Sequence, residues 1–147
     1  MKIKEIMSKT IPVLTVTDPI KKAIHLLIKV PQSALPVVNN KGKVIGELHQ
    51  RDLLLLDIGK EEFAEKEGIG FGKLKLLMAS RAKTVKDLMT EHELMLSPED
   101  DVQEAAKLLY EENLGTIPIV NSKGKLVGVL TDICILKHYK KILAKNK

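Results

Sequence analysis

The sequence predicts a mixed α/β (α+β) fold: two β-α-β-β-α units packed face to face about a pseudo-twofold axis. Three observations predict it. When Ile3 is laid on Val85, the chain matches itself without a gap. Lys4, Met7, Leu14, Asp18, Ala23, Leu26, Leu27, Pro36, Val38, Asn39, Lys41, Gly42, Lys43, Gly46 and Leu48 all recur. Inside each unit, apolar residues at helical spacing give way to short β runs. The same Asn-x-Lys-Gly turn then separates two of those runs. Two copies are too few for a solenoid, so each unit must cover the other's apolar surface.

The elements repeat in the same order. IKEIM and VKDLM form short amphipathic turns. Pro12 to Val16 and Leu94 to Leu96 are expected as short strands. Ser97-Pro98-Glu99-Asp100 fits a capping box, and Thr15 to Asp18 repeats that spacing, so a helix is expected to start at each. Ile20, Ala23, Ile24, Leu27 and Ile28 mark the apolar face of the first helix; Val102, Ala105, Ala106 and Leu109 mark that of the second. LPVV and IPIV follow as strands. Asn39-Asn40-Lys41-Gly42 and Asn121-Ser122-Lys123-Gly124 make tight hairpin turns, with glycine supplying the positive φ. Val44 to Leu48 and Leu126 to Leu130 complete the hairpins, and a last helix begins near Asp52 and Cys134. The organisation is residues 1–56, then 85–138, with an insert at 57–84 and a basic tail at 139–147. The insert begins acidic, breaks at GIGFG and ends basic and apolar. It reads either as a linker closing the repeat or as a docking or gating segment that uses Phe63 and Phe71.

Composition narrows the function. The chain has 147 residues, 44% apolar, with a net charge of +5. Aromatics are only 3%, and the only arginines are Arg51 and Arg81. Base stacking needs rings and base reading favours arginine, so nucleic acid is not an expected partner. The single cysteine, Cys134, excludes an internal disulfide and fits a reducing cytoplasm. No signal-peptide stretch opens the chain, and the pure apolar run Leu53 to Leu56 is too short for membrane insertion. We find no Ser/His/Asp set, no metal cluster and no glycine-rich phosphate loop, so neither an enzyme nor a metal site is expected.

MSKTIPVLTV with ALPVVNNKGKVIGELHQRDLL, and MTEHELMLSPEDDVQEAA with TIPIVNSKGKLVGVLTD, resemble a tandem pair of cystathionine-β-synthase (CBS) domains, the Bateman module. The resemblance covers both repeats. It implies that the repeats pack through their sheets. It implies clefts that bind an adenosine-containing ligand: AMP, ADP, ATP or S-adenosylmethionine. It implies regulation of a protein partner encoded elsewhere, frequent homodimers and no obligatory cofactor. The other reading is a structural or dimerisation module with vestigial sites.

The family pattern is a glycine, two apolar residues, Thr or Ser, two variable residues, then Asp. A helix starts at the hydroxyl, and its free N–H groups suit a phosphate, while the Asp can accept from ribose hydroxyls. The first copy, GELHQRDL, keeps Asp52 but has His49 at the hydroxyl position. A protonated His49 could hold phosphate, which would make binding pH-dependent. Arg51 could pair with phosphate or tether an acid. Asp52 itself reads equally as a helix N-cap. The second copy, GVLTDICI, keeps Thr131 but has Cys134 in place of the acid. Cys134 reads first as a small packed hydrophobe; Asp132 is out of register to replace the acid. Ser33, Ala34 and Pro36, with Gly115, Thr116 and Pro118, match family positions lining the adenine and phosphate cleft, or serve sheet packing. The segments containing Ile11 and His92 would form the opposite walls. His25 and His138 show no ligand spacing. One asymmetric site around Asp52 is the expectation.

Overall fold

The computed structural model describes residues 1–30, 32–56, 81–91 and 94–146. Most of the insert, with Phe63 and Phe71, lies outside the described residues, as does His92.

A 3-10 turn, Ile3–Glu5, opens the chain. Helix α1 (Ile20–Lys29), strand β1 (Ala34–Val38) and strand β2 (Val44–His49) follow. Helix α2 begins directly after β2, over residues 50–56. The second repeat contributes α3 (Val85–Leu88), β3 (Thr90–Glu91), α4 (Val102–Glu111), β4 (Thr116–Val120), β5 (Leu126–Thr131) and α5 (Asp132–Lys145). Among the described residues, β1, β2 and β3 form one antiparallel sheet, and β4 pairs with β5 in the other.

The hairpins form for the expected reason. Asn39 Oδ1 accepts from the Lys41 and Lys43 N–H groups at 2.9 and 3.0 Å, and Gly42 takes φ +79°. Asn121 and Gly124 repeat this, at 2.9 and 3.1 Å and φ +79°. Only glycine enters that region without a steric cost.

Three expectations are corrected. Pro12 to Val16 and Leu94 to Leu96 are not strands; each makes one parallel bridge, Leu14 to Val37 and Leu96 to Ile119. The chain turns away directly afterwards, because Asp18 and Asp100 accept from the Thr15 and Ser97 N–H groups at 2.9 and 2.8 Å. Those carboxylates therefore close turns ahead of the helices rather than cap them. The helices start later, with Pro19 and Asp101 at their N-caps. On α1 the buried stripe is Ile20, Ala23 and Leu27; Ile24 and Ile28 are exposed, at 38% and 80%.

The two cores are built by exchange. One contains Leu14, Ile20, Ala23, Leu27, Leu35, Val37 and Leu48, completed by Val85 and Leu88 from the second repeat. The other contains Val102, Ala105, Leu109, Ile117, Ile119, Leu130 and Ile135, completed by Ile3 from the first. Backbone bonds hold the exchange: Ile3 N–H to Asp100 O at 2.9 Å, and Val85 N–H to Asp18 O at 2.9 Å. The exchanged chain then crosses the other repeat's second hairpin strand, at Gly46 and Gly128. A Cβ at Gly46 would lie 2.6 Å from Thr90 O, and one at Gly128 would lie 2.5 Å from Met7 Sδ. At Gly46 a side chain would block the crossing backbone, whereas at Gly128 it would displace the Met7 side chain and press on Ser8 O at 3.1 Å. The hairpins also meet each other, with Val44 N–H on Gly124 O at 3.3 Å and Leu126 N–H on Gly42 O at 3.2 Å.

Ile3→Ala is therefore expected to act as a core deletion in the second repeat and to cost about 2–4 kcal/mol. Urea unfolding checks this; a loss below ~0.5 kcal/mol, the range of ordinary surface changes, would show that the exchanged segment does not complete that core.

Candidate functional site

Each repeat's last helix starts where its second hairpin strand ends, and the two starts are capped differently. Thr131 is the N-cap of α5, and its Oγ1 accepts from Cys134 N–H at 3.1 Å. The same hydroxyl lies 3.2 Å from Cys134 Sγ, to which it donates. In the first repeat, Asp52 is the third residue of α2, and its Oδ2 accepts from His49 N–H at 3.1 Å. Asp52 is thus not an N-cap but the reaching-back half of a capping box. Each repeat keeps one half: the acid in the first, the hydroxyl in the second.

Both helix starts are tied to the chain leading into the other hairpin strand of their own repeat. Gln50 N–H donates to Ser33 O at 2.9 Å, and Asp132 N–H donates to Gly115 O at 3.1 Å. Across the pseudo-axis, Ser33 Oγ and Thr116 Oγ1 lie 3.3 Å apart. Gly115 permits this approach, since a Cβ there would lie 2.5 Å from Ser33 Oγ.

Two clefts result. The first, of about 850 Å³, is lined by His49, Arg51, Asp52, Ser33 and Gly115 among the expected residues. The second, of about 510 Å³, is lined by Thr131, Cys134 and Ile11. The structure therefore divides the expected residues between two places. Ala34, Pro36, Thr116 and Pro118 are buried in β1 and β4 and line neither cleft.

The first cleft holds residues that the sequence reading did not select. Asp132 does not take the place of Cys134, as its register requires; it lines the first cleft instead. Glu112, Asn113, Leu114 and Thr90 join it. Asn113 has φ +53°, Asn113 N–H donates to Tyr110 O and Leu114 N–H to Leu109 O. This is a Schellman ending, which turns the chain from α4 across the cleft. The Asn-Leu-Gly sequence after an amphipathic helix was the available signal for it.

His49 is held from behind. Its Nε2 lies 3.2 Å from Glu47 Oε2, and the Glu47 side chain is only 3% exposed against 22% for His49. The hydrogen bond to Glu47 raises the His49 pKa above its ordinary value; burial and Arg51 oppose this, and the charges of Glu47 and Asp52 add to it.

Both repeats match the CBS domain family model, over residues 3–59 and 85–141. The chain belongs to the CBS domain family. It is 34% identical over 125 residues to the CBS domain-containing protein CBSX1, chloroplastic, of Arabidopsis thaliana, covering 78% of this chain and 53% of that one. The chain thus spans about half the length of that relative. The crystal structure of CBSX2 in complex with AMP superposes with a TM-score of 0.82 at 27% identity, covering 96% of this chain and 97% of that one. The CBS domain pair of protein MJ0100, in complex with 5-methylthioadenosine and S-adenosyl-L-methionine, shares the fold, with a TM-score of 0.67 at 23% identity and coverage of 96% and 97%. Among the described residues, no group of three or more His, Cys, Asp or Glu side chains is placed to hold a metal ion, and no helix is long and apolar enough to cross a membrane.

The sign of the pH effect follows from the raised His49 pKa. The His49–Glu47 pair contributes its full stabilisation below about pH 6.5, the unfolded value, and loses it as pH rises through the higher folded value. Unfolding midpoints in urea from pH 5 to pH 9 should fall across that window in the parent. His49→Gln should remove that part of the fall; an equal fall in both proteins would assign it to other groups.

Proposed function

We propose that this CBS pair is a regulatory sensor whose first cleft binds an adenosine-containing ligand, AMP, ADP, ATP or S-adenosylmethionine, and passes its occupancy to a protein partner. The carrying observation is the composition of that cleft. The Asp52 carboxylate stands in the first turn of α2, beside Arg51 and His49, and the small residues Ser33 and Gly115 line the same cleft. A carboxylate accepts from two vicinal hydroxyls at once, a helix start and a cation suit a phosphate, and small residues leave room for a ring. The AMP complex of CBSX2, which shares this fold, supports the same ligand class. In the second cleft Cys134 replaces the acid, and a thiol is a poor acceptor for ribose. The first cleft is therefore the principal site.

A second role is favoured by exposed apolar residues that recur in both repeats. Ile28 and Tyr110 are 80% and 88% exposed at equivalent positions, and Leu54 and Leu136 are 65% and 60% exposed. Scattered apolar exposure is ordinary, but the same pairs twice about a pseudo-axis suit a self-complementary contact with a second copy. Sedimentation should show a homodimer, and Leu136→Glu should shift it to monomer. A parent that sediments as monomer at all concentrations removes this role.

Asp52→Asn separates the ligand role from the helix role, because Asn retains an acceptor for His49 N–H but lacks the charge. Loss of one charge-assisted bond of about 1.5–3 kcal/mol should weaken AMP binding about tenfold or more. Thermal stabilisation by ligand reads this directly. Unchanged AMP stabilisation in Asp52→Asn would remove Asp52 from the site, and a flat response of the parent to every adenosine ligand would remove the sensor reading.

A further inference from the structure

We propose that Glu47 is the positioning residue that makes His49 the phosphate-recognising group of the first cleft, so that the cleft prefers a nucleoside monophosphate over the bare nucleoside only while His49 carries a proton. This rests on the reading of that cleft as an adenosine site.

The argument starts from an acid in an unexpected place. Glu47 sits in the middle of β2, between Pro36 on one neighbouring strand and Thr90 on the other, and is 2% exposed. A buried carboxylate loses its hydration and needs compensation from its surroundings. The fold does not require an acid here. In the second repeat, Val129 occupies the equivalent position and is fully buried. The residue two places on changes with it: His49 follows Glu47, whereas Thr131 follows Val129. Acid and imidazole are present together in one repeat and absent together in the other. The second repeat thus builds the equivalent hairpin strand and a helix directly after it with neither member of the pair.

The geometry gives the pair a task at the cleft. Glu47 Oε2 engages His49 Nε2 at 3.2 Å from the buried side. This fixes the ring and favours the imidazolium, whose Nδ1–H remains as a second donor. His49 lines the first cleft, while Glu47 does not. The acid therefore acts through the histidine.

The charges around His49 make its proton decisive. Arg51 and Asp52 stand on α2, Glu112 at the end of α4 and Asp132 at the start of α5, all lining the cleft. Glu91, on β3, is exposed beside the strand that carries the pair. Three lining carboxylates face one guanidinium, an environment that repels a phosphate. An imidazolium adds the second cation to that lining. The hydrogen bond to Glu47 holds the proton on His49 to a higher pH than an isolated histidine.

Calorimetric titration of AMP and adenosine from about pH 6.5, the ordinary histidine value, to about pH 9 tests this, because the phosphate's own second ionisation, near pH 6, is mostly complete there. In the parent, the preference for AMP over adenosine should fall about tenfold or more across this range, the size of one charge-assisted hydrogen bond. Glu47→Gln should lower the preference at pH 7 and move the fall to lower pH. His49→Gln should bind AMP and adenosine alike at every pH in this range, and it keeps the test sharp if Glu47→Gln folds poorly. An NMR titration of the His49 ring should show its midpoint moving down in Glu47→Gln. A preference that is flat with pH in the parent, or a midpoint unmoved in Glu47→Gln, overturns the inference while leaving the adenosine site standing. Failure of both AMP and adenosine to bind the parent overturns the site and the inference together.

Discussion

The structure depends on the reciprocal exchange of the segments that open each repeat. Ile3 is fully buried in the core of the second repeat, and Val85 is fully buried in the core of the first. Neither core is complete without a residue from the other half of the chain. Burial of apolar surface drives the exchange, and the backbone bonds that accompany it satisfy groups that would otherwise be stranded at the repeat boundary. Gly46 is a condition for it, since the exchanged backbone passes where a Cβ would stand, and Gly128 leaves room for the Met7 side chain at the equivalent crossing. Each repeat therefore completes the other's core, although the sequence writes them as two units.

The same exchange creates the clefts. Thr90 is carried to β2 by the crossing and becomes part of the wall facing Asp52. Ser8 is carried to Val129 in the same manner and lines the second cleft with Thr131. Each cleft thus joins a helix start from one repeat to segments of the other. The slot that offers polar groups to a ligand also caps a helix. Asp52 spends one oxygen on His49 N–H, and the carboxylate can still accept elsewhere. Thr131 accepts from Cys134 N–H and donates its proton to the Cys134 sulfur, so its hydroxyl has no proton left to donate to a ligand.

The two halves have diverged in charge more than in shape. The first cleft is lined by Arg51, His49 and three carboxylates, whereas Lys137 is the charged group lining the second. Polar atoms in a partly enclosed site act more strongly on one another than they do in water. Small differences at corresponding positions, such as His49 against Thr131 and Asp52 against Cys134, therefore change the chemistry without disturbing the fold.

The sequence by itself determined the repeat, the element order and the hairpin turns. These depend on local physics: apolar spacing, an asparagine that bonds two residues ahead, and a glycine at positive φ. It also singled out Asp52, His49 and Arg51, because adjacent residues at a helix start share a place whatever the rest of the chain does. Only the tertiary structure decided that Ile3 and Val85 exchange cores, that Thr131 and Ile11 belong to a cleft separate from Asp52, and that Asp132 belongs with Asp52. It alone showed that Ala34, Pro36, Thr116 and Pro118 are buried within β1 and β4. Glu47 is the clearest case. In the sequence it is one polar residue in a short strand, indistinguishable from a solvent-facing acid. Its meaning comes from burial against the other repeat and from the ring of His49 beside it, and burial is a property of the assembled pair rather than of either strand.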